Sequence, residues 1–397
     1  MDKIKILHCG DMHFDTPFSG LSSRAKAEIR REDLRETFLH IINIADSENV
    51  DMLLIAGDLF DSESVTNQTI NFILEALKKI SHIPVFIAPG NHDPFTPSSY
   101  YSSVVWSENV HIFGENITYI EIPNKKVRIY GAGFMTAIVR QNILEGFKAI
   151  DDGFINILLM HGDIYPTPRP SDYNPVTELS ISESGLNYAA FGHRHEFSGI
   201  LKTGNTYYSC CGSPEGRGFD ELGEKGIVTG YVYKKSCDLK FTRICKRVYK
   251  ECHVNVKDCL TYDQLCNIIL NVVASDNKVA SKNKVASDNK VASDSMQTDL
   301  YKIIVSGTFG IDFTPSTEVV LSKLRENMFF CKLEINSLPL IDIEQLKSEY
   351  SLKGIFVKKM FDRIDKENSD RDKDIIKKAL YLGIDAFDKK GVTFNDN

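Results

Sequence analysis

The chain has 397 residues, a formal net charge of −7 and 42% hydrophobic residues, enough for one large core and a smaller second domain. Its acidic balance argues against holding nucleic acid by bulk positive charge. There is no apolar run of about 18 residues to span a membrane. The nine cysteines, odd in number and irregularly spaced, read as reduced thiols. The charged start at 1–7 lacks a secretion signal's apolar core, so a cytoplasmic location is expected.

Residues 3–9 read as a strand. Residues 31–48 carry Leu34, Phe38, Ile41, Ile42 and Ala45 at helical spacing, which predicts a helix. A strand at 51–56, a helix at 67–79 and a strand at 83–88 continue the alternation. Shorter strands are expected at 110–113, 119–122, 127–130, 154–160 and 188–191. This is α/β patterning, with a mixed sheet because several strands follow one another through short turns.

The pattern changes near residue 240. Residues 241–256 read as one strand or two, 262–273 and 317–326 as helices, and 300–309 and 329–335 as strands, together a small α+β domain. A hexapeptide repeat begins at Val273-Ala-Ser-Asp-Asn-Lys278 and recurs from Val279, Val285 and Val291. One small apolar type per copy cannot bury a core, so 274–296 is expected to be a disordered insertion. Residues 341–397 read as a helical tail, with an apolar face at 375–387 and a charged interval at 362–374. The expected domains are therefore 1–238, 239–340 and 341–397.

Five polar motifs follow apolar strands: Gly10-Asp11-Met12-His13, Gly57-Asp58-Leu59-Phe60-Asp61, Gly90-Asn91-His92-Asp93, His161-Gly162 and Gly192-His193-Arg194-His195. Ligands in open α/β sheets bind outside the carboxyl ends of strands, so these loops are expected to converge. Extended residues two apart face the same way, which lets Asp11 with His13, and His193 with His195, aim at one locus. Carboxylates, an amide oxygen and imidazoles suit manganese, iron or zinc without a thiolate. A lone Gly-Asp is usually a turn and a lone histidine usually core. Five such loops in series point to metal, and a buried Asp58 would be costly without it.

At these residues, over roughly 3–233, the sequence resembles the calcineurin-like metallophosphoesterase superfamily. The resemblance implies an α/β fold: a metallophosphoesterase β-sandwich flanked by helices, here with a smaller α+β capping domain and a helical tail. It implies two divalent ions, manganese first, with iron, zinc or magnesium as alternatives. Asp11, His13, Asp58 and His195 would hold one ion. Asp58, Asn91, His161 and His193 would hold the other, with Asp58 bridging. His92 matches the family's non-ligand histidine, which contacts the phosphate and assists the leaving group. No organic cofactor is expected.

Residues 13–21, 57–61 and the stretch 212–226, Gly-Ser-Pro-Glu-Gly-Arg-Gly-Phe-Asp-Glu-Leu-Gly-Glu-Lys-Gly, resemble DNA repair exonucleases of the SbcD type, closest to the bacterial YhaO branch. That implies a two-metal exonuclease acting on DNA, an SMC-like ATPase partner docked by the tail, and a homodimer. The hexapeptide insertion departs from that pattern. The alternatives are a cyclic-nucleotide or other small-molecule phosphodiesterase, which does not require the domain after residue 240, and a metal-dead scaffold, which would lack ligands that are all present here. The phosphoprotein phosphatase branch fits worse, since Leu59-Phe60-Asp61-Ser62 stands where that branch carries an arginine. Asp61 is expected to cap or orient its loop, Asp93 to serve a turn and Cys9 to pack in the core. Arg194 is open between substrate and solvent, and Arg217 and Lys225 between a DNA backbone and surface charge.

Overall fold

The computed structural model describes residues 3–21, 23–281, 295–310, 313–336, 338–339 and 343–389. The chain divides into two units, Met1–Lys250 and Glu251–Asn397.

The first unit is built on two six-stranded sheets. One runs, edge to edge, Cys237–Arg243, Gly226–Tyr233, Lys3–Cys9, Met52–Ile55, Val85–Ile87 and Val110–Ile112. The other runs Leu201–Thr203, Thr206–Cys210, Tyr188–Gly192, Ile155–His161, Val127–Ala132 and Thr118–Ile122. Both are mixed. Lys3–Cys9 pairs in parallel with Met52–Ile55 and antiparallel with Gly226–Tyr233. Alternation along each strand sends every second side chain to the opposite face. Ile4, Ile6, Met52, Leu54 and Phe86 of one sheet thereby join Ile129, Ile155, Ile157, Leu159 and Ala190 of the other in a single buried cluster. The sheets thus pack face to face as the expected sandwich, and burying each large aliphatic side chain contributes roughly 1.5–3 kcal/mol.

Helices cover the outer faces. Arg24–Ser47 buries Leu34, Phe38, Ile41 and Ile42, and Asn67–Lys78 buries Ile70, Ile73 and Leu77. The first of these begins earlier than the apolar spacing predicts. Its leading turns bury Arg30 and Asp33 with only the small Ala27 beside them, and Arg30 donates to Asp33 and Glu215. A helix face made of ion pairs has no apolar periodicity to read.

The predicted boundary after 238 moves. Cys237–Arg243 pairs with Gly226–Tyr233 along its length and belongs to the first unit, while the second strand of the 241–256 stretch, Tyr249–Cys259, heads the sheet of the second unit.

In the second unit, Leu300–Phe309 lies between Tyr249–Cys259 and Phe330–Ile335, and also pairs with Leu338–Pro339. Helices Tyr262–Ser281 and Thr317–Leu324 accompany these strands, and Val254, Leu265, Ile269, Val273, Ile303 and Val320 share one core. The first hexapeptide copy departs from the disordered insertion expected at 274–296. Val273–Lys278 lies inside the helix Tyr262–Ser281, with Val273 and Asn277 buried. Residues 282–294 of the repeat lie outside the described residues. The tail forms helices Ile343–Ser348, Leu352–Lys366 and Asp370–Lys389, which bury Leu346, Val357, Ile364, Ile376, Leu380 and Ile384 together. Among the described residues no helix is long and apolar enough to cross a membrane.

Candidate metal centre

The five motif loops leave the carboxyl ends of Lys3–Cys9, Met52–Ile55, Val85–Ile87, Ile155–His161 and Tyr188–Gly192. All of the predicted site residues come together. Ligand-type atoms of Asp11, His13, Asp58 and His195 lie within 4.8 Å of one another, and so do those of Asp58, His161 and His193. Asp58 belongs to both groups. Asn91 Oδ1 completes the second, 3.0 Å from His161 Nε2 and 3.2 Å from His193 Nδ1.

The backbone is bent hard to achieve this. Asp11, His13, Asp58 and His193 have φ of 52°, 47°, 49° and 87°, in the left-handed region that costs L-residues about 1–3 kcal/mol each and persists only where surroundings enforce it. The enforcement is a lattice of hydrogen bonds. Asp11 N–H donates to Gly57 O and His13 N–H to Asp58 O, both at 2.9 Å. His193 N–H donates to Asp11 Oδ1 at 3.0 Å, and His92 N–H to Asp58 Oδ1 at 2.9 Å. Asp93, fully buried, accepts from Asp58 N–H, Leu59 N–H, Gly90 N–H and the Tyr101 hydroxyl. It is the hub joining two ligand loops, more than the turn residue expected. Burial and the neighbouring Asp58 charge push its carboxyl up to about 6. Gly90 must be glycine, because a Cβ there would stand 2.2 Å from Asp58 Oδ1.

Each imidazole is oriented through one nitrogen. His13 Nδ1 is 2.7 Å from Asp61 Oδ1, His195 Nδ1 is 2.8 Å from Glu221 Oε1, and His161 Nδ1 is 2.7 Å from the Ala56 carbonyl. Each of these acceptors favours a proton on Nδ1, which in the neutral ring turns the Nε2 lone pair to the site. His13 Nε2 and His195 Nε2 then face each other at 3.3 Å. Two acceptors at that distance repel unless a cation lies against both. His161 Nε2 instead forms an ion pair with Asp58 Oδ2 at 3.4 Å when the ring is protonated. Burial opposes a charge on His161, but Asp58 outweighs it and lifts the ring to about 9, while burial and the His161 charge hold His193 down to about 4. Metal binding needs neutral imidazole, so it would displace that proton. The donor set, with Asp11 and Asp58 each 1% exposed, fits divalent cations.

His92 belongs to neither group but clusters with His13 and Asp61. Its side chain is 48% exposed, its Nδ1 lies 3.2 Å from Asp61 Oδ1, and its ring packs edge-on against His13 at 4.7 Å. The Asp61 hydrogen bond raises it above the ordinary histidine value. Asp61 therefore does more than cap a loop, since one carboxylate oxygen orients both His13 and His92.

Three residues near the site escaped the sequence reading. Glu221 backs His195, and Asp163 lies with Oδ1 3.6 Å from His193 Nε2. Asn174 fixes the His161 strand end by donating to the His161 carbonyl. Asp163, two residues after His161, carried a local signal, and Glu221 lay within the 212–226 stretch that carries the nuclease resemblance. Lys225 is buried and donates to the His195 carbonyl, which removes it as a DNA backbone contact. Arg194 is exposed and Cys9 fully buried.

Residues 4–197 match the family described as calcineurin-like phosphoesterase, and the chain carries a calcineurin-like metallophosphoesterase domain. It is 26% identical over 263 residues to the uncharacterized metallophosphoesterase YhaO of Bacillus subtilis (strain 168), covering 64% of each chain. It is 26% identical over 219 residues to the DNA double-strand break repair protein Mre11 of Saccharolobus solfataricus, covering 53% of this chain and 55% of that one. It is 23% identical over 225 residues to Mre11 of Sulfurisphaera tokodaii, covering 54% and 55%. The chain thus spans 64% or less of the length of these relatives.

Proposed function

We propose that the chain is a two-metal phosphodiesterase that shortens DNA from its ends, working in DNA repair. The observation that carries the reading is the pair of ligand groups sharing Asp58, with His13 Nε2 and His195 Nε2 turned toward each other at 3.3 Å. Asp11, His13, Asp58 and His195 would hold one ion, and Asp58, Asn91, His161 and His193 the other, manganese being the first choice. When bound, a pair of divalent cations supplies Lewis-acid charge at phosphoryl oxygens and a nucleophile from water at neutral pH.

The chain's own residues do the rest. Asp61 and Glu221 hold His13 and His195 in one rotamer, so the site is set before substrate arrives. His92 keeps Nδ1 on Asp61, which leaves Nε2 for the substrate, where it stabilises or protonates the departing oxygen. DNA is favoured over a small diester because two of the relatives are named for double-strand break repair. The chain also continues into a second unit beyond the family match. The reading extends to an SMC-like ATPase that docks on the tail, supported by exposed Leu352, Ile355 and Leu382 there, and to a homodimer in the cytoplasm.

The test is hydrolysis of end-labelled single- and double-stranded DNA beside bis-p-nitrophenyl phosphate, with manganese, for wild type and His92→Ala. Shortening of DNA that needs both manganese and His92 is expected. Cleavage of the small diester with DNA untouched, even with the ATPase present, would move the function to a small-molecule phosphodiesterase.

A further inference from the structure

We propose that Arg217 contacts the phosphoryl group of the diester at the metal centre, supplying the guanidinium that the turn after Asp58 lacks. The inference rests on the phosphodiesterase reading above. The turn Leu59-Phe60-Asp61-Ser62 offers no cation, and Lys225, the nearest ammonium in sequence to the fifth loop's partner Glu221, is spent on the His195 carbonyl. Arg217 arrives instead from the loop between Thr206–Cys210 and Gly226–Tyr233.

Its Nη2 lies 2.8 Å from His195 Nδ1 and 3.3 Å from His195 Nε2. Glu221 and the guanidinium compete for that nitrogen, which can donate to the carboxylate or accept from Arg217 but not both. The guanidinium rests along the ring edge, beside the nitrogen that faces the metal site. Its positive charge is also felt at His13 and His92, the ligand and the leaving-group histidine on the same side.

The mounting is rigid at one end and free at the other. Nε donates to Glu221 Oε1 at 3.1 Å, the Arg217 N–H donates to Glu221 Oε2 at 3.1 Å, and the Tyr249 hydroxyl donates to the Arg217 carbonyl at 3.1 Å. Nη1 has no partner among the described residues, and the side chain is 21% exposed. An arginine placed only to balance Glu221 would be redundant. That carboxylate also takes the His195 Nδ1 proton and the Ser213 hydroxyl. What remains is a guanidinium with its Nη1 open beside the metal-ligand cluster, the group with which arginine recognises phosphate.

Three proteins are compared, wild type, Arg217→Lys and Arg217→Gln, each checked for two bound manganese equivalents and an unchanged melting temperature. Inorganic phosphate is titrated into the manganese-loaded proteins by calorimetry and used as a competitor of bis-p-nitrophenyl phosphate hydrolysis. Arg217→Gln should bind phosphate roughly 10- to 100-fold more weakly while keeping both metals, the loss expected for a charge-assisted hydrogen bond. Arg217→Lys should fall between, since it keeps the charge without the fork. Unchanged phosphate affinity in a Gln variant with two metals would overturn the inference and leave the phosphodiesterase reading standing. Loss of metal from both variants would assign Arg217 to holding His195 and overturn it too. A wild type that neither binds manganese nor cleaves any diester would overturn both.

Discussion

Asp61 is where the geometry makes its sharpest claim, because a single oxygen, Oδ1, lies 2.7 Å from His13 Nδ1 and 3.2 Å from His92 Nδ1. Asp61→Ala removes at once the orienting partner of a candidate metal ligand, His13, and of His92, the histidine proposed to meet the leaving group. Losing such an outer partner typically costs 10- to 100-fold in metal affinity, which is about 1.4–2.7 kcal/mol at the first ion. His92→Ala alone should leave manganese affinity untouched and lower turnover by roughly 10²–10⁴. At saturating manganese the Asp61 variant should still turn over slowly, because His92 no longer has a fixed rotamer. The consequence is non-additivity: in the Asp61→Ala background, His92→Ala should cost much less than in wild type, as expected for groups sharing a partner. Manganese calorimetry and bis-p-nitrophenyl phosphate rates on the four proteins of the cycle measure both effects. Wild-type manganese affinity in Asp61→Ala, or single-variant rate losses that simply multiply, would refute the reasoning.

Asp58→Ala should lose both metals, read as metal equivalents after desalting, and a variant that retained two would rule out the shared ligand. His92→Ala should retain two equivalents, and loss of metal there would reassign it as a ligand. Arg30→Met should destabilise the first unit by about 3–5 kcal/mol, because it strands the buried Glu215 carboxylate, which Arg30 now meets at 2.9 Å, without its cation. Burial already pushes the Glu215 carboxyl above its ordinary value. An unchanged urea midpoint would show that the network is not structural.

Much of this site was legible in sequence because ligands in such a fold must follow strand ends, and apolar strands such as 52–55 are easy to see. The five motifs therefore carry the seven candidate ligands and His92, which the fold brings to one place. What sequence could not supply were the partners that arrive from elsewhere in the chain. Glu221 stands 26 residues beyond His195 in a loop whose charges look like surface polarity, and Asp93 reads as a turn until its four donors are seen. The strands Leu201–Thr203, Thr206–Cys210 and Gly226–Tyr233 carry little apolar signal for a related reason. Thr203-Gly-Asn-Thr206 and Gly226 interrupt the apolar runs, yet Gly226–Tyr233 sits beside the first strand in the middle of its sheet. The helix start at Arg24 was hidden by buried ions, and Arg30, fully buried, is the kind of residue that a search for apolar periodicity scores as exposed.

The charges around the site also fix an order of events. Asp11, Asp58, Asp61, Asp163 and Glu221 outnumber Arg217 and Lys225, and the whole chain is acidic at −7. Before metal binds, a phosphate diester approaching these loops meets negative potential that one guanidinium cannot reverse. Two divalent cations add about four positive charges at one point, enough to offset the local negative charge. Phosphate recognition should therefore be conditional on metal, with Arg217 acting only once the carboxylates are neutralised. Titrating inorganic phosphate into chelator-treated protein should give no binding heat at concentrations that saturate the manganese-loaded form. Raising salt should weaken binding to the loaded form only modestly, because the charges act at contact distance, well inside the Debye length of about 10 Å at 0.1 M. Equal phosphate affinity with and without metal would mean that the recognition site lies away from these loops, and Arg217 would then have to be reassigned with it.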